Sequence, residues 1–310
     1  MTAPAPVTRP ATPVAVGPAT GGKTSAASEP VGDTGARGRR ILAYAVLIAY
    51  ALIMFVPFAW TVVTSFKTVP DSVRLTFIPD PISFQGWDEA LNGLSPGLIQ
   101  LFFNSAIVAG VVTLTNVIFG SMAGYAFARL RFPGREFLFI LVLATLMIPD
   151  QLRLVPVYQI LVLLGLVNSN PTNYLGVVIV LAISATSIFL IRQYFLTIPR
   201  DLEEAAKIDG AGFFTTFWRV MLPLATPALA AVAILQFQGT WNGFFWPLVI
   251  LQTPGHWTLP LGLFQFIGFH KTDWPPLMAV VVMATLPIVI LYVFFQRYFV
   301  EGIAASGVKG

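Results

Sequence analysis

The chain has 310 residues, of which 56% are hydrophobic and only 10% charged, and its mean hydropathy is +0.78. A soluble domain carries about 25% charged residues, so this chain lacks the polar surface to cover a soluble globule of its size. That disfavours a soluble enzyme, a nucleic-acid-binding domain and a disordered chain, and it points to an all-α polytopic membrane protein. Cysteine is absent, which removes disulfides, thiolate metal sites and cysteine nucleophiles. The net charge of +4 is read as Lys and Arg gathered in cytoplasmic loops, not as affinity for nucleic acid.

Residues 1–38 are rich in Ala, Pro, Thr and Gly and show no apolar periodicity. Such a stretch cannot bury enough surface to offset its ordering entropy, so a disordered cytoplasmic tail is expected. Gly17, Gly22, Lys23 and Thr24 satisfy the spacing of a phosphate-cradling loop. That loop needs a preceding strand and a following helix, and here prolines 13, 18 and 30 surround it, so no nucleotide site is assigned. The apolar run from Ile41 to Phe66 is too long for a signal-peptide core and reads as a first span.

Five further spans are expected: about Leu98 to Ala128; a third from Phe137, interrupted by Pro149, Asp150 and Arg153 and continuing to Val167; Tyr174 to Ile191; about Leu224 to Leu251; and Leu277 to Gln296. At 1.5 Å per residue each covers roughly 30 Å of hydrocarbon, except the broken third, which has to continue past Pro149. With the N-terminus placed in the cytoplasm, fourteen of the 18 Lys and Arg residues fall inside, and Lys67, Arg74, Arg153 and Lys271 fall outside. That split supports six spans with both termini cytoplasmic.

The inner segment from Pro199 to Pro223 holds seven charged residues in 25 positions. Pro199 suits a helix start, and Asp201, Glu203 and Glu204 favour the positive end of the helix dipole. Lys207 lies four residues after Glu203 in the stabilising order, and Gly210 suits a left-handed stop. A second short helix is expected from Phe213 to Arg219, with Pro223 opening the fifth span. The pattern is helix, glycine turn, helix, outside the hydrocarbon.

In these residues the chain resembles a known family. Glu204-Ala205-Ala206, Gly210, Val220 and Leu222-Pro223 are spaced as in the EAA motif of the membrane subunits of binding-protein-dependent ABC importers, with Val220 where that family usually has Ile. Met147-Ile148-Pro149 with Gln151, Pro156 and Tyr158, Trp241-Asn242 with Phe245-Trp246-Pro247, and the closing Gly307-Val308-Lys309-Gly310 resemble the sugar-importer branch, of maltose-permease type. The resemblance runs from roughly Ile41 to the C-terminus. It implies a type I ABC importer permease fold in the cell membrane. Residues 39–97 would form the first span and an extracytoplasmic segment, 98–300 the permease domain, and 301–310 a cytoplasmic end. It also implies the partners: a second related permease subunit, a dimer of ATPase subunits that hold ATP and Mg, and an extracytoplasmic sugar-binding protein that docks near Lys67 to Gly97. This chain itself would be non-catalytic and bind no cofactor. Glu203, Glu204, Ala205, Ala206, Asp209, Gly210, Leu222 and Pro223 would form the element that couples it to the ATPase.

Other polar residues leave two readings open. Asp150 and Gln151, beside Arg153, either snorkel at the outer interface, which their position favours, or line a translocation cavity. Trp241 and Asn242, with Phe244 to Trp246, are either aromatic anchors or sugar contacts, and Asn242 is the stronger pathway residue because a lipid-facing amide is costly. Gly120 and Gly124 form a small face for close helix packing, against this chain or a second subunit. His256 and His270 lack partners at metal-ligand spacing. The rival function is an ion-coupled secondary transporter, which would need internal repeats and intramembrane ion ligands; no repeat is evident, and Asp150 is its one acidic candidate.

Overall fold

The computed structural model describes residues 34–167, 173–267 and 272–307. Residues 1–33 with the Gly17–Thr24 pattern, His270, Lys271 and the last three residues lie outside them, and the tail expected to be disordered through residue 38 is instead helical from Thr34. In chain order the helices begin with α1 (Thr34–Thr64), α2 (Val69–Ser72), α3 (Gln85–Asn92), α4 (Leu98–Arg129) and α5 (Arg135–Ala144). There follow α6 (Asp150–Leu163), α7 (Asn173–Leu181), α8 (Ala185–Thr197) and α9 (Asp201–Ile208). The remainder are α10 (Phe213–Thr215), α11 (Leu222–Leu224), α12 (Thr226–Trp241), α13 (Phe245–Ile250), α14 (Leu259–Gly262) and α15 (Trp274–Gly307). Among the described residues the β contact is an isolated bridge between Ile267 and Thr272. The chain divides into two compact units, Met1–Met54 and Phe55–Gly310. The described part of the first is helix, and all packing discussed below lies within the second.

Among the described residues, three helical stretches are individually long and apolar enough to cross a membrane: Arg37–Thr64, Leu98–Arg129 and Trp274–Gln296. Three more candidates are bent pairs: Arg135–Met147 with Asp150–Leu163 at 104°, Tyr174–Leu181 with Ala185–Thr197 at 43°, and Phe213–Leu224 with Thr226–Trp241 at 75°. The first break falls where the sequence places it. Ile148 is extended, as a residue before proline is driven to be, and Pro149 is the N-cap of α6. The angle of 104° makes this segment a sharp elbow, not a kinked rod.

The expected fifth span, about Leu224 to Leu251, is revised at both ends. Helix α10 runs into a π-helical stretch, Thr216–Met221, and then into α11, so the path stays helical through Pro223 and turns at Ala225. Prolines 223 and 227 flank that turn. Pro227 has no N–H to give the Pro223 carbonyl, and the Thr226 hydroxyl donates to it instead at 2.7 Å. At the far end the helix stops at Trp241, and Asn242 and Gly243 break it before α13 begins.

Helix α4 is the central post, with a residue in each of three buried clusters. Near its start Leu98, Leu101 and Ala109 pack with Trp241, Leu259, Ala279 and Val280. Val108 and Val112 meet Val177, Trp246 and Ile250. Towards its end Tyr125 and Ala128 pack with Ile191, Phe195, Phe217, Met221 and Ala225. In hydrocarbon no hydrophobic effect draws helices together, so close fit has to do so. Gly120 and Gly124 supply it, and their partner is within this chain: a Cβ at Gly120 would lie 3.2 Å from the Ser187 Cβ, and one at Gly124 would lie 2.9 Å from Ile191 Cγ2 and 3.0 Å from the backbone nitrogen of Arg192.

Outside the bundle, Lys67 organises the segment after α1. It is fully buried, and its Nζ donates to the carbonyls of Arg74 (3.1 Å) and Thr76 (2.6 Å). It also sits 4.7 Å from the centre of the Trp60 ring. Further on, α3 rests on α15, where Gly86 abuts Pro275.

Because Gly124 is tighter and has a backbone nitrogen at 3.0 Å as well as the Ile191 side chain, whereas backbone comes no closer than 3.7 Å to Gly120, the two positions should differ. Gly124→Ala should lower thermal stability in detergent by more than Gly120→Ala, and Gly124→Val by about 1–3 kcal/mol, the usual range for overpacking. Melting curves of the three variants check the order.

Candidate coupling element and intramembrane cavity

Helix α9 begins at Asp201 with Arg200 as N-cap, and Asp201, Glu203 and Glu204 occupy its first turn. Gly210 takes φ +83, the left-handed stop expected of it. The Gly210 N–H donates to the Lys207 carbonyl at 3.0 Å and the Ala211 N–H to the Ala206 carbonyl at 2.9 Å, closing the helix end. No atom lies within 4 Å of a Cβ built there, so the position demands glycine for its backbone and not for space.

Glu203 departs from expectation. It does not pair with Lys207; its carboxylate turns inward to Arg129 at the end of α4, with Nε and Oε1 3.7 Å apart and side chains 4% and 12% exposed. Both atoms are buried without a hydrogen bond, so the contact is ionic only. Arg129 is held from behind, since its Nη2 donates to the carbonyls of Phe195, at 2.5 Å, and Ile198. One guanidinium thereby ties the end of α4, the end of α8 and the first turn of α9.

The segment after the turn is fixed by aromatic packing. Tyr125 of α4 has the rings of Phe195, Phe217 and Phe213 around it at 5.4, 5.1 and 5.6 Å. Phe217, Met221 and Ala225 are buried. The eight residues expected to form the coupling element therefore divide by face. Glu203 and Ala206 are buried and hold α9 to the body, whereas Glu204, Ala205, Asp209 and Gly210 are exposed. Pro223 is exposed and Leu222 half-buried, both beside the bend at Ala225. Leu202, Ile208, Phe214 and Trp218 are also exposed, Ile208 to 87%. The result is a charged and apolar outer face on a rigidly seated helix pair.

A second site lies where the bent pairs meet. A cavity of about 420 Å³ is lined by Thr145, Ile148, Asp150, Arg153, Ser184 and Gln236, among others, a volume in the range of small-molecule sites. Asp150 and Arg153 are ion-paired across one turn of α6. Gln151 is exposed and does not line the cavity. Trp241 is 2% exposed, stacks on Phe237 and donates its indole N–H to the Ala284 carbonyl at 3.0 Å, so it serves the core. Asn242 is exposed at the break after α12.

Two residues of this region were not singled out from sequence. Asn116 of α4 is completely buried beside the break between α7 and α8. Its Nδ2 donates to the carbonyls of Leu181 (2.7 Å) and Val112 (2.9 Å), and its Oδ1 accepts from the Ser184 N–H (2.8 Å) and the Ser187 hydroxyl (3.1 Å). Gln236 of α12 donates to the Ser187 oxygen at 2.9 Å, linking a third helix to this network. The available signal was an amide inside an otherwise apolar span, which hydrocarbon tolerates only with partners.

Broken spans around a polar cavity, with a helix pair anchored at one end of the bundle, define an all-helical membrane permease. The chain belongs to the family of binding-protein-dependent transport system inner membrane components, whose model matches residues 116–304. It is thus a multi-pass protein of the inner membrane. It is 38% identical over 276 residues to the arabinooligosaccharides transport system permease protein AraQ of Halalkalibacterium halodurans, covering 87% of this chain and 98% of that protein. It is 32% identical over 276 residues to the sn-glycerol-3-phosphate transport system permease protein UgpE of Agrobacterium fabrum, covering 86% and 96%. Among solved structures it resembles a chain of a bacterial ABC transporter involved in the import of the acidic polysaccharide alginate, with a TM-score of 0.75 and 26% identity over 87% of this chain and 99% of that one.

The anchoring of α9 makes a directional prediction. Arg129→Ala strips two carbonyls of their donor and leaves the buried Glu203 carboxylate without its cation, which should cost about 3–5 kcal/mol. Glu203→Gln keeps the guanidinium on its carbonyls and should cost distinctly less. Denaturation midpoints of the two variants in one detergent test the order.

Proposed function

We propose that this chain is one of two permease halves of an ATP-driven importer of carbohydrate. In this reading the chain crosses six times, each bent pair being one span, and both termini are cytoplasmic, in keeping with the distribution of Lys and Arg. The helix pair between Pro199 and Pro223 is then cytoplasmic and seats in an ATPase subunit. ATP and Mg belong to that partner, and this chain hydrolyses nothing. A second related permease completes the pathway, and an extracytoplasmic binding protein delivers the sugar.

The observation that carries this reading is the two-sidedness of α9. Its inner face is locked to α4 and α8 through Arg129, and its outer face presents Glu204, Ala205, Ile208 and Asp209. A partner that displaces the outer face moves the ends of two membrane helices with it, which is what rigid-body coupling requires. The exposed Phe214 and Trp218 suit anchors in a partner's groove.

The cargo passes the cavity between the bent pairs. Hydroxyl-rich ligands are held by amides, carboxylates and guanidinium groups, and Asp150, Arg153, Ser184 and Gln236 supply these at the cavity wall. Of the residues first considered for the pathway, Asp150 has direct support from the geometry. Asn242 and Gln151 are exposed and outside the lining, and Trp241 is packed in the core. The carbohydrate assignment follows AraQ and the alginate transporter, whose names state such cargo.

Gly210→Val forces a β-branched residue into a left-handed turn without crowding a neighbour. Membrane insertion should persist, while sugar-dependent ATP hydrolysis by the assembled transporter falls by about tenfold or more, within the usual span of coupling free energies. Unchanged stimulation would refute the coupling role. Asp150→Asn with Gln236→Leu should raise the KM for uptake and leave basal ATP hydrolysis alone, and uptake kinetics in proteoliposomes decide it.

A further inference from the structure

Between α4 and α5 the chain turns through residues 130–134, with Gly134 at φ +78. The turn borders a shallow recess, open to the surface and of about 670 Å³, whose lining includes Arg131, Phe132, Arg135, Glu136, Phe137 and Arg200. This recess is separate from the cavity between the bent pairs, and of the Pro199 to Pro223 segment it takes Arg200, the N-cap of α9.

Its charges are not balanced internally. Glu136 is already shared by two arginines, Arg135 at 2.6 Å and Arg192 at 3.4 Å. Arg135 also donates from Nη1 to the Leu130 carbonyl at 3.1 Å. Among the described residues neither Arg131 nor Arg200 has a carboxylate partner, and both are exposed. The recess therefore offers two uncommitted guanidinium groups, which match a phosphate diester in geometry as well as charge.

The surroundings identify the kind of anion. Helix α5 leads away from the recess as the first arm of a bent pair apolar enough to cross a membrane. On it Phe137, Ile140 and Leu141 are 65%, 61% and 47% exposed, and their spacing of three and four residues puts them on one face. Two free cations at one end and an apolar strip running from them reproduce, in complement, a phospholipid with its headgroup at one end and its chains at the other. We propose that this recess binds an anionic phospholipid, with Arg131 and Arg200 on the headgroup phosphate and the acyl chains along Phe137, Ile140 and Leu141. A free phosphate would use the arginines and leave the apolar strip without purpose. Basic recesses at the ends of membrane helices are suited to such headgroups. The proposal rests on the topology given above only for the leaflet, which would be the cytoplasmic one.

The test is native mass spectrometry of the full-length protein in detergent, titrated with phosphatidylglycerol or phosphatidylcholine. The unmodified protein should bind phosphatidylglycerol more tightly. Each arginine is expected to contribute about fivefold and the pair about thirtyfold, so R131Q/R200Q should bring phosphatidylglycerol down to the affinity of phosphatidylcholine. Equal affinity for the two lipids in the unmodified protein, or undiminished phosphatidylglycerol binding in the double variant, would overturn the proposal. Displacement of the lipid by inorganic phosphate at equal concentration would overturn it too, by showing a site for a soluble anion. If the double variant fails to assemble, R131Q and R200Q separately each carry the fivefold expectation, and no loss in either refutes it. None of these readouts depends on transport, coupling or leaflet, so failure here and failure of the importer reading remain distinct.

Discussion

Hydrocarbon supplies no hydrogen-bond partner, so a span that breaks inside a membrane has to be given one by its neighbours. This chain breaks three of its apolar segments, and the rest of its architecture follows from how those breaks are satisfied. The gap between α7 and α8 is closed by Asn116, whose single amide serves the Leu181 carbonyl on one side and the Ser184 N–H on the other. The turn at Ala225 is closed locally, by the hydroxyl of Thr226 on a carbonyl that proline leaves unserved. The elbow at Pro149 sets an ion pair, Asp150 with Arg153, at its corner. Irregular backbone brings polar groups with it, and those groups make a cavity wall that straight apolar helices could not.

At the other end of the bundle the same economy of groups holds the outer helix pair. Arg129 is the last residue of α4, and its guanidinium reaches the ends of α8 and the start of α9 at once. The ion pair with Glu203 is buried, where such pairs contribute little net stability but fix geometry and are costly to break singly. Tyr125, one turn earlier on the same helix, does the apolar half of the work through its ring contacts with Phe195, Phe213 and Phe217.

Much of this was legible in the residues. Uncharged runs located the long apolar helices, Pro149 located the elbow, and Gly210 announced a left-handed turn, because each is a local property of chain length, steric demand or polarity. The faces of α9 were not legible. Glu203 and Glu204 are the same residue type in adjacent positions, and only the long-range placement of Arg129 decides which of them turns inward. Trp241 misleads for a related reason: beside Asn242 and a cluster of aromatics it reads as a ligand contact, yet its indole N–H finds the Ala284 carbonyl across the bundle. Asn116 passed unnoticed because an amide within an apolar run has no motif. Its role exists only once α7 and α8 part in front of it.

The contact at Gly124 bears on where motion is possible. A helix whose glycine lies this close to both the Ile191 side chain and the backbone nitrogen of Arg192 can neither slide nor roll against its neighbour without losing the fit. Helices α4 and α8 therefore form a single stiff strut, and Arg129 extends that strut to α9. Any change of shape in this unit has to be absorbed at the joints that remain: the elbow before Asp150, the turn at Ala225, and the pair Asn242 and Gly243. These joints border the helices around the polar cavity, so the same interruptions that create an opening also serve as its hinges.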